Sequence, residues 1–191
     1  MSSRRDEILE VAVTVLEEAG PEALTMRGLA DRMGIRAPSL YKHVQDKDDI
    51  VAGVQERALL DLARHLSAAT GQGLVALAEA YRSWARAHPR LYEVATRRPL
   101  ARERITPGVE DAAAAPLVTA VGGDEHLARA LWALAHGLVD LELSDRFPPD
   151  ADLDVTWRTA LSHFERTPAL RYGAAVPRDA GNHTPDPPPH A

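Results

Sequence analysis

The hydrophobic positions of this chain recur at helical spacing along most of its length. Apolar residues return every three or four positions in successive segments, and no segment alternates apolar and polar residues at every second position. This period places apolar side chains on one face of a helix, whereas a half-buried strand needs a period of two. Alanine and leucine, which lose little side-chain entropy in a helix, outnumber the β-branched and aromatic residues. The pattern therefore predicts an all-α fold.

Capping residues divide the first third of the chain into four predicted helices. Ser3 with Asp6, Thr25 and Asp46 each offer an oxygen to the exposed N–H groups of a helix start. Proline suits a first helical position because its missing N–H costs nothing there. The predicted helices are residues 3–19, a second from the Thr25 cap to Gly34, a third that begins at Pro38, and a fourth from the Asp46 cap to about residue 66.

Four more helical stripes follow. They are residues 74–88, residues 90–96, residues 124–144, and a last helix that Asp152 or Asp154 caps and that ends near residue 166. Five leucines from Leu127 to Leu141 stand in register and are expected to face the core. The stretch 97–123 is poorly patterned and contains three prolines, so no helix bounds are predicted there.

Composition excludes several classes of protein. The chain of 191 residues has no cysteine, which excludes a disulfide framework and a thiolate zinc site. It has no apolar run of membrane-spanning length and no signal-peptide pattern at its N-terminus, so we expect a cytoplasmic protein without a membrane partner. Residues 167–191 are rich in Pro, Gly, Asp and Ala, which cannot bury a core, and we expect a disordered tail.

The charge distribution says more than the net charge of −6, which by itself argues against a nucleic-acid partner. Residues 27–47 carry five Lys or Arg against two Asp, a local excess of three positive charges. A small basic patch on an acidic protein fits DNA contact at one end of the molecule. It equally fits an ordinary solvated helix face, so it is weak evidence alone.

The segment "RAPSLYKHVQDKDDI", residues 36–50, places exposed aromatic and basic groups on a helix too short to be stable alone. Only Leu40 and Val44 are expected to point inward. With the preceding helix and the Gly34 turn, this is the layout of a helix-turn-helix unit, here with a second helix of about two turns. In such units the second helix enters the major groove of DNA through its N-terminal residues.

The residues left outside this packing are candidates for DNA contacts. Thr25 and Lys47, both at helix starts, suit phosphate oxygens, and Arg27 has the reach for a base edge or a phosphate. The candidates are Thr25, Arg27, Arg36, Ala37, Pro38, Ser39, Tyr41, Lys42, His43 and Lys47. Three alternatives stay open: a three-helix unit used only for packing, a core position for Tyr41, and lysines that are merely solvated.

The run "ALTMRGLADRMGIRAPSLYKHVQDKDDIVAGV", residues 23–54, resembles the TetR family of bacterial transcriptional regulators, and "LYKHVQDKDDI" is its specific part. The resemblance implies phosphate contacts from Thr25 and Lys47. It also implies base or phosphate contacts from Arg27, Ala37, Pro38, Ser39, Tyr41 and His43. Ala37 stands where some members have a hydrogen-bonding side chain, so only apolar contact is expected from it, with Arg36 beside it as a polar group able to compensate.

In that family the rest of the chain is a helical domain that dimerises and usually holds a small-molecule pocket. The stretches "SWARAHPRLYEV" and "LARALWALAHGLVDLELSDRF" resemble a subgroup with a Trp…His-Gly signature, represented here by Trp132, His136 and Gly137. We therefore expect three parts: a helix-turn-helix DNA-binding domain at 1–47 (the head), a helical ligand-binding and dimerisation domain at 48–166 (the C-terminal domain), and the tail at 167–191.

A line of small residues in 124–144 and an apolar stripe in the last helix suggest a four-helix interface between two subunits related by a two-fold axis. The small residues are Ala130, Ala133, Gly137 and Ser144, and the stripe is Leu153, Trp157, Leu161 and Phe164. The interface residues we expect are Ala133, Gly137, Trp157, Leu161 and Phe164. The alternative is that both stripes pack inside one subunit.

Inward-facing aromatic and polar groups are the candidates for a ligand pocket. They are Tyr81, Trp84, His88, Tyr92, Trp132, His136 and Asp140. His136 and Asp140 are four residues apart and can form a hydrogen-bonded pair on one helix face. A buried histidine satisfied by a carboxylate partner, with no ligand, explains the pair as well.

The sequence thus favours a dimeric regulator, a repressor that binds palindromic double-stranded operator DNA and is released by a small-molecule effector. The alternative is a small-molecule-binding helical protein whose head does not read DNA specifically. No phosphate-binding glycine loop and no hydrolase or metalloprotease motif is present, so no enzyme activity, catalytic residue, metal or cofactor is expected.

Overall fold

Nine α-helices and one short 3-10 turn form residues 3–165, the part of the chain that the computed structural model describes, and this part has no strand. The helices are α1 (Arg4–Ala19), α2 (Met26–Arg32), α3 (Ala37–Leu40), α4 (Lys47–Ala69), α5 (Leu74–Ala87), α6 (Pro89–Thr96), α7 (Val109–Ala120), α8 (Glu125–Leu143) and α9 (Leu153–Glu165); the turn is Pro21–Ala23. The predicted all-α fold is confirmed. The tail predicted at 167–191 lies outside the described residues.

The predicted capping residues start the helices of the head. The Ser3 hydroxyl accepts from the Asp6 N–H at 3.1 Å, and the Asp6 carboxylate accepts from the Ser3 N–H at 3.1 Å. Thr25 and Asp46 each accept from the N–H three residues further on, at 2.9 and 2.7 Å. Each bond satisfies a backbone donor that the first turn of a helix leaves free, which is why these helices begin where they do.

Helix α7 occupies part of the stretch for which the sequence predicts no helix bounds. It contains Pro116, which lacks the N–H that an interior helical position would donate. Pro116 and Leu117 are buried, and α7 packs along α4. We attribute the stability of α7 to this burial. It compensates for the hydrogen bond that Pro116 cannot donate and for the irregular spacing of apolar residues in this segment.

Helix α8 buries a different face from the predicted one. Its buried residues are Ala128, Leu131, Ala135 and Val139, while Leu127, Leu134 and Leu138 are half-buried and Leu141 is exposed. Of the predicted leucine core stripe, Leu131 is buried and Leu127 and Leu138 pack against the core from its edge, whereas the prediction was wrong for Leu141. We attribute this orientation of α8 to its buried alanines, because small side chains allow α8 to approach α5 and α7 closely. The larger leucines are left at the edge of the core.

Helix α4 joins the head to the C-terminal domain without a linker. It packs against α1 of the head and against α5, α6 and α7 of the C-terminal domain. One cluster of buried apolar residues runs through both parts. The domain boundary proposed at 47/48 therefore falls in the first turn of a continuous helix, so a displacement of α4 displaces the head. Among residues 3–165, none of the helices is long and apolar enough to cross a membrane.

Candidate nucleic-acid interface

Helices α2 and α3 form the predicted helix-turn-helix unit. Leu29 and Leu40 are fully buried between them, and Val44 is 2% exposed. Gly34 has φ of 66°, a left-handed conformation that favours glycine, and the chain turns there. The packing leaves Pro38 of α3, and Tyr41 and His43 just after it, exposed.

The second helix of the unit, α3, is shorter than the two turns predicted for it. Helix α3 has four residues, with Pro38 at its second position, and a turn follows in which the His43 and Val44 N–H groups donate to the Leu40 carbonyl at 2.8 and 3.0 Å. Tyr41 and His43 therefore lie in this turn and extend the surface that α3 presents.

Most of the predicted DNA-contacting residues are exposed, on α2, on α3 and in the turn after α3. Tyr41 is 55% exposed, so the structure does not support a core position for it. The Arg27 side chain is 92% exposed. The exposed members are Thr25, Arg27, Arg36, Pro38, Tyr41, Lys42 and His43, and the half-buried ones are Ala37, Ser39 and Lys47. Ala37 also packs against the core cluster, which limits the contact it can offer.

Thr25 has one function already, because its hydroxyl oxygen accepts the capping bond from Gly28. A hydroxyl carries one donor and two acceptor sites, so the Thr25 O–H remains able to donate to a phosphate oxygen. Arg32, which contributes to the basic patch in the sequence, is held by the Glu18 carboxylate at 2.7 Å on the side of α1. The excess of positive charge offered to DNA is smaller than the sequence count suggests.

Three carboxylates surround the predicted phosphate contact at Lys47. Arg104 donates to Asp46 at 2.7 Å, and Arg5 donates to Asp49 at 2.5 Å; Asp48 is the third. The bond from Arg104 holds the pKa of Asp46 below its usual value. These arginines offset the negative charge beside Lys47. Sequence reasoning missed both, and no local pattern connects Arg104 with a residue 58 positions earlier.

The candidate pocket residues do not share one site. Tyr81 and Trp132 line a small cavity between α4, α5, α7 and α8. The other lining residues are Leu66, Leu74, Leu77, Ala78, Leu117, Leu131 and Ala135. The cavity has a volume of about 10 Å³, no more than one water molecule needs. No sequence signal separates these cavity leucines from ordinary core leucines.

Behind Tyr81 lies a buried polar network. The Tyr81 hydroxyl donates to Tyr92 at 3.5 Å, and the Tyr92 hydroxyl lies 2.5 Å from Nδ1 of His136. Trp132 stacks on His136 with ring centroids 5.9 Å apart. Burial raises the pKa of Tyr81 and of Tyr92, so both phenols are neutral hydrogen-bonding groups at neutral pH. Tyr81 and Trp132 belong to both this network and the cavity lining, whereas Tyr92 and His136 lie outside the lining.

The remaining pocket candidates lie elsewhere. Asp140 does not pair with His136 as proposed; it accepts from Arg97 at 2.8 Å on the surface. Trp84 donates to Asp61 at 2.7 Å and faces α4. His88 lies beside Trp84, in an open groove of about 580 Å³ between α1, α4 and α6. The structure therefore places these three residues apart from the cavity.

The expected interface residues also divide into two groups. Trp157 and Leu161 are 5% and 2% exposed within a single chain, so they pack inside one subunit, as the alternative interpretation had it. Ala133 is exposed, and Gly137 and Phe164 are half-exposed. Apart from its chain neighbours and the backbone of its own helix, no atom of residues 3–165 lies within 4 Å of the position that a Cβ would take at Gly137.

Comparison with known proteins matches both parts of the chain. The family model described as bacterial regulatory proteins of the tetR family matches residues 8–54, and the model of a tetracyclin repressor-like C-terminal domain matches residues 74–164. The uncharacterized HTH-type transcriptional regulator Rv0681 of Mycobacterium tuberculosis is 33% identical over 181 residues, 85% of this chain and 83% of the relative.

Two further comparisons concern the head and the fold. The HTH-type transcriptional repressor KstR2 of Mycolicibacterium smegmatis is 43% identical over 53 residues, 28% of this chain and 26% of the repressor. The solved structure of a protein with unknown function from Rhodococcus sp. RHA1 has a TM-score of 0.71 at 25% identity, covering 87% of this chain and 95% of that one. The chain therefore belongs to the TetR family, and it is a DNA-binding transcriptional regulator.

Proposed function

We propose that this protein is a dimeric repressor that reads a palindromic operator with α3 and the turn after it. The observation that carries the proposal is the exposed group of Tyr41, Lys42 and His43 on a helix-turn-helix unit that buries Leu29, Leu40 and Val44. One short helix contacts too few base pairs to select a site. Two heads held about one helical turn of DNA apart read two half-sites, so a dimer is needed.

The exposed apolar face of α8 supports the dimer. Leu141 is 42% exposed, and Val155 on α9 is 47% exposed. Ala133 and Gly137 lie on the same part of α8 as Leu141 and are small enough for a second helix to approach closely. We propose that α8 and α9 of two subunits pack there as four helices about a two-fold axis, without Trp157 and Leu161.

An apolar small molecule is the effector we propose for the cavity near Tyr81. The cavity holds too little space for such a molecule, so binding must open it. Its lining includes Leu66 near the end of α4, and Lys47 begins the same helix about 30 Å away. A displacement of α4 by the effector would change the separation of the two heads. The effector must bind the released geometry better than the DNA-bound one.

Operator binding is the first test. Purified protein is titrated against DNA flanking its own gene, with random DNA as competitor, at a stated salt concentration near physiological, because affinity for DNA depends steeply on salt. We expect Tyr41→Ala and Lys47→Ala each to lower specific affinity about tenfold or more, a loss of 1–3 kcal/mol. Their thermal midpoints should stay near that of the wild type, since neither side chain is buried in the core.

Arg64→Ala is the matched control for Lys47→Ala. Arg64 lies on the same helix with a side chain that is 73% exposed, about 25 Å along α4 from Lys47. Arg64→Ala removes one positive charge at a position far from the proposed interface, so it should change operator affinity little. Equal losses for both variants, or wild-type binding by Tyr41→Ala, would contradict the proposed interface.

The effector mechanism has a separate test. Apolar compounds are titrated into the free protein and into the operator complex. Linkage requires that a compound lowers operator affinity by the same factor by which the operator lowers the affinity for that compound. A compound that binds tightly in the cavity and leaves operator affinity unchanged would exclude release through this site.

A further inference from the structure

A loop of the C-terminal domain reaches the start of α4 in the head. The loop, residues 97–108, connects α6 to α7, and its Arg104 donates to Oδ1 of Asp46 at 2.7 Å. The same oxygen accepts the capping bond from the Asp49 N–H at 2.7 Å. Asp46 directly precedes Lys47 and follows the turn that carries Tyr41. The contact therefore joins the C-terminal domain to the proposed DNA-facing surface.

Buried hydrogen bonds hold the loop itself in place. Gln55 of α4 is fully buried and donates to the Val94 and Pro99 carbonyls at 3.1 and 3.2 Å. Its carbonyl oxygen accepts from the Ala101 N–H at 3.1 Å. Breaking these bonds would leave a buried amide unsatisfied, which is costly. The backbone around Arg104 is thus fixed to α4 independently of Arg104.

A second anchor lies on the other side of Arg104. The backbone N–H and the hydroxyl of Thr106 donate to Glu56 at 3.1 and 2.7 Å. Helix α7 follows directly, and its Leu117 lines the cavity. Arg104 is therefore a side chain on a restrained loop that continues into a helix of the proposed effector site.

The pair with Asp46 contributes little to the stability of the fold. The two side chains are 39% and 48% exposed, and ion pairs this exposed to solvent contribute little to folding stability. The ion pair matters more for geometry than for stability, because it holds the N-terminal cap of α4 against the loop. Arg102, on the same loop, pairs instead with Glu110 inside the C-terminal domain at 2.9 Å.

We propose that Arg104 is a positioning residue for operator binding: by holding Asp46 it fixes the start of α4, and with it Lys47 and the turn that carries Tyr41 and His43, relative to the C-terminal domain. This inference rests on the proposed DNA-facing surface and on the dimer. In a dimer, the positions of the two starts of α4 set the separation of the heads. Loss of the pair should therefore weaken binding to a palindrome more than binding to one half-site.

The test compares Arg104→Ala, Arg104→Lys and Asp46→Asn with Arg102→Ala as the matched control. Asparagine caps helices as well as aspartate does, so Asp46→Asn removes the ion pair and keeps the cap. We expect Arg104→Ala and Asp46→Asn to lower palindrome affinity about tenfold, within the usual range of coupling between sites. Half-site affinity should change less than about twofold. Arg104→Lys should recover part of the loss, and Arg102→Ala should bind like the wild type.

Three outcomes would overturn the proposal. Equal losses on palindrome and half-site would mean that Arg104 contacts phosphate directly. Tighter binding by Asp46→Asn would mean that Asp46 acts only as a repulsive charge. Additive losses in Arg104→Ala with Asp46→Asn would mean that the two residues act independently, whereas a pair predicts that the double variant is no worse than either single one.

A measurement without DNA separates this inference from the proposed function. The chain has no cysteine, so Asp31→Cys in the head and Arg129→Cys in α8 give two unique sites for spin labels. We expect Arg104→Ala to shift or broaden the label-to-label distance, and Arg102→Ala to leave it unchanged. An unchanged distance in Arg104→Ala overturns the inference. If the wild type binds no DNA specifically, the proposed function fails, and the distance alone decides whether Arg104 positions the head.

Discussion

Arg82 shows how one residue can connect three helices of the C-terminal domain. It lies on α5 and is 6% exposed. It donates to Glu142 of α8 at 2.8 Å and to Asp154 of α9 at 2.6 Å, and its guanidinium lies 5.7 Å from the ring centroid of Trp157. The bonds to both carboxylates raise the pKa of Arg82 and hold that of Asp154 down. A buried charge is tolerated here because it is fully paired.

Arg82→Ala should lower the free energy of unfolding by about 3 kcal/mol, because it leaves Glu142 largely buried without this partner. Chemical denaturation of the purified variant measures the loss. Arg86→Ala is the control, since Arg86 approaches Glu142 only to 3.5 Å and is 57% exposed. A loss for Arg82→Ala no larger than that for Arg86→Ala would show that the buried contacts do not stabilise the fold.

Asp61 predicts a dependence of stability on pH. Partial burial raises its pKa, but hydrogen bonds from Trp84 and Arg64 and the nearby charges of His65 and Arg64 outweigh burial, so the pKa lies below 3.8. A carboxylate with a lowered pKa contributes stability above its unfolded pKa and loses it as pH falls through the folded value.

The wild type should therefore have a thermal midpoint above that of Asp61→Asn by a constant margin from about pH 5 to 7. The margin should shrink as pH falls below 3.8. Thermal unfolding at several pH values measures both proteins. A margin that grows on acidification would contradict the assignment of Asp61 as an ionised hydrogen-bond acceptor for Trp84.

At the scale of elements, the contact between α1 and α4 depends on the absence of a side chain. Gly53 of α4 is buried, and a Cβ placed there would lie 2.6 and 2.7 Å from the two terminal methyl groups of Leu9. A real Cβ does not approach other atoms this closely. The glycine therefore sets how near α1 of the head comes to the helix that joins the two domains.

Gly53→Ala should destabilise the protein by about 1–3 kcal/mol, because Leu9 must move within a packed core. The Leu9→Ala background supplies the control, since it removes the overlapping methyl groups. There Gly53→Ala should be neutral or should stabilise by up to about 1 kcal/mol through helix propensity. Denaturant titrations of the four proteins test this cycle. Equal effects in both backgrounds would show that the overlap with Leu9 is not the cause.

At the scale of the whole molecule, the single chain completes its core but leaves apolar surface on α8 and α9. Leu141 is exposed on the side of α8 that carries Ala133 and Gly137, and Val155 is exposed on α9. Large apolar patches on a monomer mark contacts with another protein. A second copy of the chain that packs on this face would bury these exposed apolar side chains of α8 and α9.

Leu141→Arg should convert the proposed dimer to monomer, because it places a charge in the apolar contact. Val75→Arg is the control: Val75 is 48% exposed on α5, which is not one of the two helices of the proposed interface, so the dimer should stay intact. Sedimentation over a range of concentrations measures the association, and operator affinity should fall with it. A dimer that persists in Leu141→Arg would place the interface elsewhere.

Local features of the sequence were sufficient for most helix starts and for the candidate DNA-facing surface. Ser3, Thr25 and Asp46 cap helices through bonds to residues three positions away, so the short segment contains both partners. Tyr41 and His43 are exposed because Leu40 and Val44 occupy the inward positions of the same few residues. Interactions of such short range can be recognised in one sequence without knowledge of the fold.

The tertiary structure decided the rest. Pro116 stays in a helix, and α8 buries Ala128, Leu131, Ala135 and Val139 in place of the predicted leucine stripe. Asp140 takes Arg97 as its partner in place of His136, and Asp46 takes Arg104. These outcomes depend on side chains more than forty residues apart or on the packing of whole helices. No periodicity or spacing within one segment contains that information, because the competing partners meet only when the chain folds.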